Sequence, residues 1–292
     1  MIDILLVCIG LIALIAGTYT DIKILEVPDY LNFSVLVAAF GLRFIYSAST
    51  SEWMFLLNGL IGFGIFFIFG ELMYYTKQWG GGDAKMLRSL GVLFATYPEF
   101  LLNYFSPALN FYFPVVLLLN ILIVGAAYGL IFSLVFVFKN WRSFKKEYGK
   151  LISRKNVKLI NRSVIVVSVA MLIAAFFMPF LYKIFLIAIA VIIFGFMQLG
   201  LFANACEKSC MIRKVSTHKL REGDWILDEV RKGKKILYKP KAFGATNKEI
   251  KALIKNKIRT VVIKQGIPFV PAMLIGVLLT LILGNFILLP FG

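Results

Sequence analysis

Acidic side chains are scarce in this sequence: 15 Asp and Glu stand against 32 Lys and Arg in 292 residues, with one histidine and three cysteines. The cysteines, Cys8, Cys206 and Cys210, are too few for a disulfide framework, and Cys8 lies inside an apolar run. Cys206, Cys210 and His218 offer three zinc ligands where a structural site wants four, so no metal is expected. There is no internal repeat and no low-complexity tract, and no nucleic-acid-binding motif accompanies the net charge of +17. What abounds is apolar sequence: 60% of residues are hydrophobic, against roughly 45–50% in a soluble domain. With a mean hydropathy of +0.85, the composition excludes an ordinary cytosolic enzyme.

The apolar residues gather in runs of bilayer length. They predict an all-α polytopic membrane protein of about eight transmembrane helices, at Ile4–Thr20, Leu31–Tyr46, Met54–Tyr75, Met86–Phe105, Phe111–Phe138, Ser163–Tyr182, Ile184–Ala203 and Ile267–Phe291. The first is read as a retained helix rather than a signal peptide, because Asp3 stands where a basic region should be. The 41 residues of Ser163–Ala203, interrupted by Pro179 and Lys183, read as a helical hairpin. Of the 32 basic residues, 26 fall in Lys139–Arg162 and Asn204–Lys264, which the positive-inside rule places in the cytoplasm. Counting crossings back from there puts Asp21–Tyr30 and Thr76–Lys85 together on the cytoplasmic side.

Five regions follow: a membrane core at 1–138, a basic interfacial segment at 139–162, the hairpin at 163–203, a small cytoplasmic α/β appendage at 204–266 and a last span at 267–292. In the basic segment, Trp141, Phe144, Leu151 and Ile152 interleave with Lys and Arg, the pattern of an amphipathic helix on anionic lipid. In the appendage, Asp224–Val230 and Lys234–Lys239 flank Arg231-Lys232-Gly233 like a hairpin. Thr246 and Glu249 have capping-box spacing before a helix to about Asn256, and Arg259–Lys264 reads as a strand.

Only eight acidic residues lie outside the two basic segments, and Asp21 and Asp83 stand at helix boundaries on one membrane face. A carboxylate near hydrocarbon costs up to about 2.5–3.5 kcal/mol on insertion scales, so each asks for a reason. The plain structural roles are a solvated loop residue for Asp21 and a helix N-cap for Asp83. Asp83, however, follows Gly80-Gly81-Gly82, and glycines beside a helix let another backbone approach closely, as a protease requires of an extended substrate.

Asp21, Pro28, Asp29 and Leu31, followed by Gly80-x-Gly82-Asp83-x-Lys85 and Gly91, resemble the prepilin peptidase family, in particular its archaeal preflagellin and prepilin peptidases. The segment Gly266-Ile267-Pro268-Phe269-Val270-Pro271 before the last helix is similar to archaeal members too. These are GxGD membrane aspartyl proteases that remove short basic leader peptides from pilin-like precursors on the cytoplasmic side. The resemblance implies that Asp21 and Asp83 are the catalytic pair, with no cofactor. Gly80, Gly81 and Gly82 are then the expected substrate strip, Lys85 a neighbour that snorkels or tunes the pair, and Glu26 and Asp29 acidic contacts for a basic leader. Expected partners are pilin-like or archaellin precursors and the bilayer, without nucleic acid. Archaeal relatives usually have six helices, and Lys139–Arg259 has no assigned counterpart.

Two other classes fit some of the same residues. In a secondary transporter Asp21 and Asp83 would carry ions, although both sit by topology at one face rather than at midplane. In a membrane scaffold they would be caps only. Presenilin-like proteolysis shares GxGD, and Pro271-Ala272-Met273 weakly resembles that family's late motif, but the early, closely spaced pair favours the prepilin group.

Overall fold

The computed structural model describes residues 1–286 apart from Lys77, Lys234, Ala242 and Phe243. It is mostly helical, with short strands. Ten α-helices occur among the described residues: α1 (Ile2–Ile24), α2 (Asp29–Thr50), α3 (Trp53–Tyr75), α4 (Gly81–Leu93), α5 (Phe113–Lys139), α6 (Trp141–Ile152), α7 (Lys155–Phe176), α8 (Phe180–Cys206), α9 (Asn247–Lys255) and α10 (Val270–Leu283). The strands are β1 (Ile212–Ser216), β2 (Trp225–Ile226), β3 (Val230–Lys232), β4 (Lys235–Tyr238) and β5 (Thr260–Lys264).

Six helices are long and apolar enough to cross a membrane, against the eight expected: α1, α2, α3, α5, α7 and the stretch Phe180–Met211 that begins with α8. The chain is a multi-pass membrane protein by that measure. The expected spans Met86–Phe105 and Ile267–Phe291 correspond to helices of 13 and 14 residues. At 1.5 Å per residue these reach about 20 Å, short of a hydrocarbon core of about 30 Å. α4 stops early because Tyr97-Pro98 leads into a separate 3-10 turn at Glu99–Asn103. Positions 287–292, the end of the expected last span, lie outside the described residues.

The chain divides into two compact units. The first comprises Met1–Ile131, Ser216–Val261 and the chain from Gly266 onward. At its centre is α4, whose Met86, Leu87, Leu90 and Val92 are fully buried among Leu6 and Leu14 of α1, Val35 of α2, Phe66 of α3 and Met273 and Val277 of α10. α4 has neighbours all round rather than one apolar stripe. Gly91 lets α3 come close, since a β-carbon there would stand 2.8 Å from the Phe66 Cβ.

The C-terminal end of α4 is finished by Arg43 of α2, which is 0% exposed. Its Nε donates to the Val92 carbonyl at 2.7 Å, and its two terminal nitrogens donate to Phe55 O at 2.8 Å, Leu93 O at 3.3 Å and Thr96 Oγ1 at 3.4 Å. Carbonyls left without partners at a helix end thereby find donors inside the protein.

In the remainder of this unit, β3 and β4 pair antiparallel with Lys232 opposite Lys235 and a bulge between Val230 and Arg231. Arg231 and Lys232 thus belong to a strand rather than to the expected turn, and Gly233 turns the chain at φ 58°. Lys234, the first residue of the expected second strand, lies outside the described residues. The capping box closes on α9: Thr246 N donates to Glu249 Oε2 at 2.9 Å, and Glu249 N to Thr246 Oγ1 at 3.4 Å.

The second unit comprises Phe132–Val215 and Val262–Gln265. α7 and α8 pack together there, with Gln198 Nε2 donating to Asn161 Oδ1 at 2.9 Å. α7 begins at Lys155, inside the expected basic segment, so that segment is divided between α6 and the first two turns of a long helix. On α6, Phe144 and Leu151 are buried with Val137, Ala205, Cys206 and Cys210, while Arg142, Lys145, Lys146 and Lys150 face outward.

Candidate active site

Asp21 does not lie in a loop. α1 continues to Ile24, so Asp21 is in its last turn, and it is 4% exposed. A buried carboxylate needs donors. The N-terminus of α10 supplies one: Val270 N–H donates to Asp21 Oδ2 at 3.0 Å. Pro271 has no N–H to offer, and Ala272 and Met273 bond back to Phe269 O, which leaves the Val270 amide free for a side chain from elsewhere. Tilted ring contact of Phe269 with Trp79, with centroids 4.4 Å apart, ties the same turn to the segment before α4.

Asp83 is the third residue of α4 rather than its N-cap, which is Gly80. Its Oδ2 accepts from Gly80 N–H at 3.1 Å, so the capping role exists and occupies one oxygen. Withdrawal from water, and then the charge of Asp21, hold the Asp83 carboxyl above the usual carboxylate range; the Gly80 bond acts in the opposite sense. The charge of Asp21, at the end of α1, is thus felt by Asp83 at the start of α4.

Neither aspartate is neutralised by a cation among the described residues. The two basic side chains nearest Asp83 in sequence are both engaged elsewhere: Lys85 pairs with Asp29, and Arg88 pairs with Glu71 while lying over the Phe67 ring. Two carboxylates without a counter-ion relieve their repulsion by sharing one proton. Such a pair can act as base and acid at once.

The other expected site residues are placed differently. Lys85 and Asp29 hold one another, so Asp29 is not an open acidic contact. Glu26 is exposed on the α1–α2 connection. Gly81 and Gly82 form the first turn of α4, and the strip is not open, because Val27 covers Gly82: a β-carbon there would stand 3.1 Å from Val27 N and Cβ. Sequence reasoning gave no role to Val27, to the Val270 amide or to Arg43. Cys206 and Cys210 are buried in the second unit, and among the described residues no group of three or more His, Cys, Asp or Glu is placed to hold a metal ion.

Residues 8–134, which include both aspartates, match the family model described as the type IV leader peptidase family. A protein named preflagellin peptidase from Methanococcus maripaludis is 31% identical over 134 residues, 45% of this chain and 57% of the relative. This part of the chain is similar to the archaeal preflagellin and prepilin peptidases. Prepilin peptidase EppA of Methanothermobacter thermautotrophicus is 24% identical over 187 residues, 62% of this chain and 48% of the relative. A preflagellin peptidase of Methanococcus voltae is 34% identical over 89 residues, 30% and 38% of the two chains. The chain spans about half the length of the curated relatives it matches. No solved structure matches it.

Proposed function

We propose that this chain is a membrane aspartyl endopeptidase that removes short basic leader peptides from archaellin or type IV pilin-like precursors at the cytoplasmic face of the cell membrane. The observation that carries the reading is the pair itself: Asp21 and Asp83 are buried or half-buried, the charge of Asp21 acts on Asp83, and no cation among the described residues pairs with either. The ionised carboxylate takes a proton from water as the water oxygen adds to the scissile carbonyl carbon, and the protonated partner donates to the carbonyl oxygen. Return of a proton to the leaving amine breaks the C–N bond and resets the pair.

Lys139–Arg162 and Asn204–Lys264 in the cytoplasm set the orientation by the positive-inside rule. The membrane core carries the chemistry, and exposed Glu26 is the acidic group available to a basic leader. A transporter using the same carboxylates is not favoured by the relatives. The test is incubation of the purified, bilayer-embedded chain with a pilin-like precursor carrying a basic leader. A product shortened at its N-terminus is expected. No cleavage, together with aspartate-dependent ion flux in proteoliposomes, would replace this reading with the transporter.

A further inference from the structure

The connection Glu26–Pro28 between α1 and α2 is short and bounded by charge, yet its middle residue is buried: Val27 is 3% exposed while Glu26 beside it faces solvent. Val27 occupies a notch walled by two glycines. A β-carbon on Gly82 would stand 3.1 Å from Val27 Cβ, and one on Gly17 would stand 3.9 Å from Val27 Cγ1, 3.2 Å from Val270 Cγ1 and 2.9 Å from Met86 Cε. Gly17 lies one helical turn before Asp21, and Gly82 immediately precedes Asp83. The notch is thus flanked by both carboxylates.

The occupant is held lightly. Among the described residues the Val27 N–H makes no hydrogen bond, so this amide does nothing to hold the residue in place. Leu25, which ends α1, sits in the left-handed region at φ 53°, an unfavourable conformation for a leucine. At the far end the connection is pinned by the Asp29–Lys85 ion pair, whose members are 62% and 33% exposed and which is therefore weak.

Resting on the peptidase reading, we propose that this notch is the subsite for a small apolar side chain of the substrate next to the bond that is cut, and that Val27 is its built-in occupant, displaced when precursor binds. The walls fix the chemistry. Met86 and Val270 are apolar, so a charged side chain would be desolvated without compensation. The backbones of Gly17 and Gly82 leave the width of a valine, so an aromatic ring would collide. An extended peptide that displaces Val27 meets the backbone of Gly82, next to Asp83.

The test uses the full chain in lipid, with Cys8, Cys206 and Cys210 changed to Ala and Val27→Cys introduced. Alkylation of this thiol is expected to be slow at rest, at least tenfold faster with saturating precursor peptide, and several-fold faster without peptide when Asp29→Asn removes the pin. Hydrogen exchange at Glu26–Val27 of the unaltered chain gives the same readout and is expected to speed up with peptide. Gly17→Ala, which narrows the notch, should raise KM for a peptide with Val in the subsite more than for one with Gly. Normal cleavage with labelling and exchange unmoved by peptide would overturn this proposal and leave the peptidase reading intact. Labelling and exchange that respond to peptide in a chain that cuts nothing would remove the peptidase reading and, with it, the assignment of the notch as a subsite beside a cut bond.

Discussion

The two ends of α4 deal with charge in opposite ways. At the C-terminal end Arg43 is completely buried, and its guanidinium reaches three backbone carbonyls and a threonine hydroxyl. At the N-terminal end Asp83 and Asp21 are given backbone N–H groups at Gly80 and Val270 and, among the described residues, no cation. A buried charge matched by acceptors on every side is a structural fastening, fixed in one geometry. A pair of like charges left with a single proton is poised for transfer. The difference separates a fastening from the pair on which the proposed chemistry rests, even though both sites are charged and withdrawn from water.

The sharpest way to break this contrast is to remove the fastening. Arg43→Met leaves the Val92, Leu93 and Phe55 carbonyls without their donor in an apolar interior, at about 1–3 kcal/mol for each. A loss of several kcal/mol is expected, seen as a large fall in the melting temperature of the reconstituted protein, with activity lost only in proportion to unfolded chain. Gly82→Val comes next. Its side chain meets Val27 rather than open space, so both stability and turnover should fall, stability by about 1–3 kcal/mol, as measured by thermal unfolding beside cleavage rate.

The raised Asp83 carboxyl makes a smaller, pH-dependent claim. Its folded state favours the protonated form, so its contribution to stability is present at low pH and lost as pH rises from the ordinary carboxylate range through the raised value. Turnover should fall as pH passes through the raised value, because the acid partner disappears. An acid limb should appear where the remaining carboxylate is protonated, and the full profile of kcat against pH checks both. Lys85→Gln is expected to have the smallest effect on fold. It removes an exposed pair with Asp29, worth about 1 kcal/mol or less by thermal unfolding.

Much of this was legible in the sequence, for reasons that also mark where reading stopped. Long apolar runs located α1, α2, α3, α5 and the α7–α8 region, because hydropathy reports burial in lipid. The same measure overextended α4, since Phe94–Phe105 is apolar but irregular around Pro98. It also started α7 late, because charge on Lys155, Lys158 and Arg162 argues against lipid without arguing against helix. Asp21 and Asp83 drew attention because carboxylates are rare here, the glycines mark the place and the motif resembles a known family. Val270 enters through its backbone N–H, which leaves no side-chain signal. Val27 is a single valine between a glutamate and a proline, and only the convergence of Gly17 and Gly82 buries it. Arg43 carries no sequence signal of its role, because its acceptors come from residues 12 to 53 positions away in sequence.

The measurement that bears most directly on the account is cleavage of a precursor by Asp21→Asn and by Asp83→Asn, each with its melting temperature recorded in the same lipid. Each substitution keeps size and hydrogen bonding but destroys the shared proton, so cleavage should fall at least 1,000-fold, about 4 kcal/mol in barrier, while melting stays within a few degrees of the unaltered chain. Near-normal cleavage by either variant would contradict the pairing and return that aspartate to the role of a helix cap.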